Sequence, residues 1–195
     1  MIRTYAHQDV LDLAEYANIP VINALTDLLH PCQVLADLMT TYEHKGKLEG
    51  LKLAYIGDGN NMAHSLMYGC AKAGMDCAIA TPENYQCDAE VVANAKDDFK
   101  KSGKELILTT DPVEAIKNAD VVYTDTWVSM GQEAEKAERQ KIFMPYQVNG
   151  ELFKNAADDA VFMHCLPAYR GFEVTEEVID LSLIHISEPT RLRCI

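Results

Sequence analysis

Residues 51–56, Leu-Lys-Leu-Ala-Tyr-Ile, are apolar at every position except Lys52 and stop abruptly at Gly57-Asp58-Gly59. A short run with so little polar alternation is a strand covered on both faces, the kind found in a sheet sandwiched between helices. The rest of the chain keeps that rhythm. Residues 61–73 carry a helical pattern. Four more short apolar runs, at 75–80, 105–109, 120–124 and 160–164, are separated by helical patterns near 89–101, 112–117 and 131–142, with a further turn near 149–153. This alternation predicts an α/β fold: a Rossmann-like three-layer αβα domain with a mainly parallel sheet over residues 48–180.

The residues before it do not complete a domain. A helix is expected at 9–17 from Val10, Leu11, Leu13, Ala14 and Ala17, followed by a short strand at Pro20-Val21-Ile22. Pro31 then opens a helix to about Lys45, with Val34, Leu35, Leu38, Met39 and Tyr42 as its apolar stripe and Gly46 as its stop. So few elements cannot close a core, so residues 1–30 read as the end of a second α/β domain and 31–47 as an interdomain helix.

A formal net charge of -13, with no long Lys/Arg cluster, argues against nucleic acid and anionic membrane surfaces as partners. No apolar run approaches a membrane span and the N-terminus lacks a signal-peptide core, so a cytoplasmic location is expected. The six cysteines form no CxxC pair, which predicts free thiols rather than a disulfide frame or a zinc site.

In a parallel sheet, ligands gather beyond the carboxyl ends of the strands. Four polar clusters fall at such ends or at helix starts. His30-Pro31-Cys32-Gln33 opens a helix whose free N–H groups favour an anion, although a lone His-Pro at a helix start is more often a cap or a solvated loop residue. Gly57-Asp58-Gly59-Asn60-Asn61 resembles a dinucleotide turn, but Met62 replaces the third glycine and Asp76 precedes its strand; a tight structural turn that leaves Asn61 for a ligand explains it as well. In the loop 125–131, Asp125 and Ser129 are spaced to hold an ammonium group, while Asp125 could instead cap a helix and Trp127 pack on the surface. Finally, His164-Cys165-Leu166-Pro167 comes directly off a strand. Neighbours on a strand point to opposite faces, which excludes a Cys-His nucleophile.

Taken together and in this order, from Ile2 to about Asp180, the four clusters closely resemble the ornithine branch of the aspartate/ornithine carbamoyltransferase family. The aspartate branch shares the His-Pro-x-Gln turn, but typically has His-Pro-Leu-Pro in place of His164 to Pro167, and it lacks the loop 125–131. The resemblance implies transfer of a carbamoyl group from carbamoyl phosphate to the side-chain amine of L-ornithine, giving L-citrulline and phosphate, with no metal or organic cofactor. It implies that residues 1–30 are the end of a carbamoyl-phosphate-binding domain and 48–180 an ornithine-binding domain, in a parent that assembles as a homotrimer. Arg3, His30 and Gln33 would contact carbamoyl phosphate, with Arg3 and His30 polarising its carbonyl. Asn61 and the backbone of Met130 would hold the ornithine carboxylate, Asp125 and Ser129 its α-ammonium group. Cys165 and Leu166 would line the junction of the two substrates, Cys165 near the reacting centre.

The family's Ser-Thr-Arg-Thr turn and its C-terminal arginine are not found in the sequence, so this polypeptide is expected to make little citrulline by itself. Residues 181–195 include a stretch matching one reading frame of a sequencing adapter; a non-native tail is expected there, the alternative being a natural strand ended by Pro189. A carbamoyltransferase acting on putrescine or an acylated ornithine, an NAD(P) oxidoreductase and a non-catalytic ornithine-binding module are the rival readings. Arg170 is expected to be a solvated loop residue with no role.

Overall fold

A computed structural model of the chain describes residues 1–128 and 133–180. The chain begins with β1 (Ile2–Arg3), α1 (His7–Tyr16) and β2 (Asn23–Leu25), and the two strands pair in parallel. The strand expected at 20–22 therefore lies slightly later. Ile22 still gives its carbonyl to Ile2 N–H at 2.9 Å, but Pro20 has no N–H to offer a ladder. Only Val10 of the apolar positions on α1 is buried.

Helix α2 (Pro31–Lys45) starts and stops as the sequence predicts, with Pro31 in the first turn and Gly46 in the left-handed conformation at its end. Its expected apolar stripe is not its buried face. Val34 is buried, but Leu35, Met39 and Tyr42 face outward, while Gln33, Asp37, Thr40 and Thr41 turn in toward the sheet domain. A polar helix underside requires hydrogen-bond partners, and α2 supplies several from within itself: Gln33 donates to Asp37, and Thr41 Oγ1 donates to the Asp37 carbonyl and lies 3.6 Å from Met163 Sδ.

The remaining elements are β3 (Lys52–Ile56), α3 (Asn61–Ala73), β4 (Asp76–Ala80), α4 (Ala89–Ser102), β5 (Leu106–Thr109), α5 (Pro112–Ile116), β6 (Val121–Thr124), α6 (Lys136–Phe143), α7 (Gly150–Phe153), β7 (Val161–His164) and α8 (Glu176–Ile179). Helix α6 begins later than the 131 expected from sequence, after a 3-10 turn at Glu133–Glu135; β1 and α8 were not expected at all. Both are too short to show a period.

Five strands form one parallel sheet in the order β5-β4-β3-β6-β7. Alternate strand residues feed two cores. Leu53, Tyr55, Cys77, Ile79 and Tyr123 pack on Leu66, Met67 and Phe99 of α3 and α4. Ala54, Ile56, Ala78, Val122 and Phe162 pack on Ile116, Leu152 and Val178 on the opposite side. This is the predicted three-layer architecture. Winding reverses between β3 and β6, so a crevice opens at their carboxyl ends, between the segments 57–61 and 125–128. Among the described residues no helix is long and apolar enough to cross a membrane.

Candidate active site

Asp125 stands one residue beyond β6, buried, at that crevice. Both its oxygens are held by neighbouring strand ends. Asn60, after β3, donates from Nδ2 to Oδ2 at 2.8 Å. Cys165, after β7, donates from its thiol to Oδ1 at 3.0 Å, and Thr126 N–H reaches the same oxygen at 2.7 Å. Asn60 is itself immobilised, because its Oδ1 caps α3 by accepting from the N–H groups of Met62 and Ala63. Asn60, not Asn61, is thus the polar residue of the glycine turn that touches Asp125.

Burial, the Asp125 carboxylate and its hydrogen bond push the Cys165 thiol well above the usual range. At neutral pH it is a protonated donor, not a thiolate. The hydrogen bond from Sγ goes to Asp125 rather than to the adjacent histidine, in keeping with the exclusion of a Cys-His nucleophile. His164 serves the loop instead: Nδ1 accepts from Leu166 N–H at 2.8 Å, and Nε2 lies 3.4 Å from Oε1 of Glu173, both side chains being buried. Glu173 also accepts from Tyr169 N–H. These contacts hold Leu166 at φ 56°, a left-handed conformation unfavourable for a leucine.

His30 is the N-cap residue of α2. Burial and the nearby Arg3 cation depress its pKa, against the Ala24 carbonyl and Asp125, so the imidazole is neutral at neutral pH. Arg3 itself is exposed at the end of β1. One face of α3 grips this segment. Asn61 Nδ2 donates to Thr26 O at 2.7 Å, His64 Nδ1 lies 2.9 Å from Leu28 O, and Ser65 Oγ accepts from His30 N–H at 2.7 Å. His64 Nε2 accepts from Asp88 N–H, which assigns the ring proton to Nδ1. Asn61 is thus engaged with the first segment, and Gln33 on α2 with Asp37.

A second anchor went unrecognised in the sequence. Arg139 of α6 is buried over the rings of Tyr85 and Phe143, at 4.8 and 5.1 Å, pairs with the Asp58 carboxylate and donates from Nε to Trp127 O at 2.5 Å. It ties the stem of the loop 125–131 to the turn after β3. Burial pushes the Asp58 carboxyl up, with Arg139 pulling it down. Only the Glu-Lys-Arg character of 135–141, which reads as a solvated face, marked Arg139 in the sequence. Ser129 and Met130 lie outside the described residues, as does the tail 181–195. Arg170 makes a bidentate pair with Asp180, with both distances 2.7 Å, and touches none of these groups.

The ligand atoms of Asp125, His164 and Cys165 lie within 4.8 Å of one another, a donor set by composition. Cys165 already donates to Asp125, Asn60 holds the other Asp125 oxygen, and His164 Nδ1 accepts from Leu166 N–H. The dinucleotide reading fails on shape. A Cβ at Gly59 would stand 2.4 Å from Cys87 N and from the Gln86 carbonyl carbon, because the chain at 85–87 fills the space above the turn. A cavity of about 560 Å³ beyond β4 and β5, lined by Thr81, Gln86, Cys87 and Thr109 among others, contains no residue expected at the site. The five described cysteines are free.

The model of the aspartate/ornithine carbamoyltransferase Asp/Orn binding domain matches residues 49–193, and that of the carbamoyl-P binding domain matches residues 1–43. The chain belongs to the aspartate/ornithine carbamoyltransferase family. Within this carbamoyltransferase family, the ornithine carbamoyltransferase of Carboxydothermus hydrogenoformans is 61% identical over 180 residues, covering 92% of this chain and 58% of that protein. That of Bacillus subtilis is 58% identical, with 92% of this chain and 56% of that protein covered. The solved ornithine carbamoyltransferase of Pyrococcus furiosus superposes with a TM-score of 0.89 at 55% identity, over 93% of this chain and 58% of the other. The chain therefore spans somewhat more than half the length of the carbamoyltransferases it matches.

Proposed function

We propose that the chain carries the ornithine side, and part of the carbamoyl phosphate side, of an ornithine carbamoyltransferase. The observation that carries this reading is the buried Asp125, held by Asn60 and Cys165 at the reversal of strand winding, with His30 and Gln33 at the N-terminus of α2 close by. Identities near 60% to proteins named ornithine carbamoyltransferase support the choice of amine.

In this reading the phosphate sits at the free N–H groups of α2, with Arg3 supplying positive charge. The neutral His30 and Arg3 donate to the carbonyl oxygen, where negative charge develops as the ornithine side-chain nitrogen attacks. The C–N bond forms, the C–O bond to phosphate breaks, and the nitrogen loses a proton. That amine has an unperturbed pKa of roughly 10.4, so it must be deprotonated in the site, and desolvation lowers the cost. Cys165 and Leu166 line the junction of the substrates. Asp125 and Ser129 hold the α-ammonium group; Asn61, through its second N–H, and the Met130 backbone hold the carboxylate. The assembled parent is read as a homotrimer.

A full-length chimera, with residues 1–180 replacing the matching segment of the Carboxydothermus protein, is expected to form citrulline, with putrescine and N-acetylornithine as poor acceptors; the 195-residue chain alone is expected to form little. In the chimera, Asp125→Asn should raise the KM for ornithine far more than that for carbamoyl phosphate. Equal effects on both would contradict the assignment.

A further inference from the structure

One buried carboxylate near the site has no part in the reaction described above. Asp37 lies on the underside of α2, one turn beyond Gln33, and is 1% exposed. Its Oδ1 accepts from Gln33 Nε2 at 2.9 Å. The ionisable groups that face it are the Tyr123 hydroxyl from β6, the Asp125 carboxylate just beyond, and the Cys165 thiol from the end of β7. Among the described residues it has no ion pair, and its Oδ2 is buried with the Tyr123 hydroxyl as the polar group beside it. A lone carboxylate in such a place is costly, and a leucine would pack there more cheaply.

Its effect on Gln33 gives it a purpose. An ionised carboxylate only accepts, so the end of the Gln33 amide turned toward Asp37 must be the NH2 end. The carbonyl oxygen Oε1 is then fixed on the opposite side. A carbamoyl group differs from an acetyl group in carrying –NH2, two donors, where acetyl carries an inert methyl. A site that presents Oε1 accepts from that –NH2; a site with the amide reversed sets donor against donor.

We propose that Asp37 is a positioning residue that holds Gln33 with its carbonyl oxygen toward the carbamoyl –NH2, and so makes the site select carbamoyl phosphate over acetyl phosphate. This rests on the functional reading above, but the Asp37–Gln33 coupling can be measured without it. Protonated Asp37 can donate to Oε1 and so permits the reversed amide. Burial raises its pKa to about 7, helped by Asp125 and opposed by Gln33 and Tyr123.

In the full 195-residue chain labelled with 15N, the Gln33 side-chain NH2 signals should therefore titrate with a midpoint near that value. Asp37→Asn should abolish this titration. Signals that do not move with pH, or that still titrate in Asp37→Asn, would overturn the proposal. In the chimera, Asp37→Leu should lower the ratio of acetyl phosphate Ki to carbamoyl phosphate KM by about tenfold or more, the loss of one good hydrogen bond, while ornithine KM changes less than about twofold. Asp37→Asn keeps an acceptor for Gln33. The unsubstituted chimera should show a rise in carbamoyl phosphate KM below neutral pH as Asp37 protonates; Asp37→Asn should lose that rise and retain most of the ratio, which keeps the test open if the leucine variant does not fold. An unchanged ratio in a folded Asp37→Leu chimera overturns the proposal. If the unsubstituted chimera makes no citrulline, the functional reading fails instead, and the amide titration still decides the orientation.

Discussion

In the sheet domain Leu53, Tyr55, Leu66 and Phe143 are sealed from solvent, whereas α1 buries Val10 alone and leaves Leu11, Leu13 and Tyr16 largely open. The two regions are held by different forces. Residues 51–180 fold around apolar side chains packed on both faces of a sheet, where each fully buried leucine contributes about 1.5–3 kcal/mol. Residues 1–30 are placed chiefly by hydrogen bonds with Asn61 and His64, which donate, and Ser65, which accepts, an i, i+3, i+4 set on one face of α3. Arg3 and His30 therefore take their position from the domain that holds Asp125, not from a core of their own.

The largest break in this contrast is expected at Arg139. Arg139→Leu leaves the Asp58 carboxylate buried and unpaired, which should cost on the order of 3–5 kcal/mol in urea denaturation and free the Trp127 stem. Next comes the core itself: Leu66→Ala should cost about 2–5 kcal/mol, while Leu13→Ala on α1 should stay within about 0.5 kcal/mol. Equal losses at the two leucines would erase the distinction between the regions.

His64→Leu should cost about 2 kcal/mol by stranding the Leu28 carbonyl and the Asp88 N–H, and it tests the clasp directly. Burial depresses the pKa of His64 in the folded state below its ordinary 6.5, so the unfolded chain takes up this proton first as pH falls. Its contribution is full above that value and is lost as pH drops through and below it. Asp37, raised by burial, has the opposite trend, so the informative quantity is wild type minus His64→Leu between pH 7.5 and 5. That difference should shrink toward acid; growth would reverse the assigned proton placement. Smallest of all, Arg170→Ala should leave stability unchanged within error, since its pair with Asp180 is open to solvent.

Much of this was legible in the sequence, for reasons that differ by element. The strand at 52–56 showed through its near-continuous apolar run, and α2 through Pro31 and Gly46, because local chemistry alone sets those boundaries. The inward face of α2 did not show. Leu35, Met39 and Tyr42 follow a perfect helical period, yet the side of the helix toward the sheet domain takes Gln33 and Asp37, which bond each other one turn apart, because the face that is covered is decided by tertiary packing and not by the helix's own period. The same limit hid Asn60: only the folded crevice shows that the residue capping α3 reaches Asp125 across 65 positions. Asp125 and Cys165 were picked out because each directly follows an apolar strand, and strand ends are where a parallel sheet collects its polar groups.

The turn after β3 has a further meaning. Its second glycine admits the backbone at 85–87 into the space where a phosphate would rest in a nucleotide-binding sheet of similar winding. A turn plugged by its own chain offers no seat to the abundant dinucleotides and triphosphates of a cell. Their exclusion is thereby achieved by shape and not by charge.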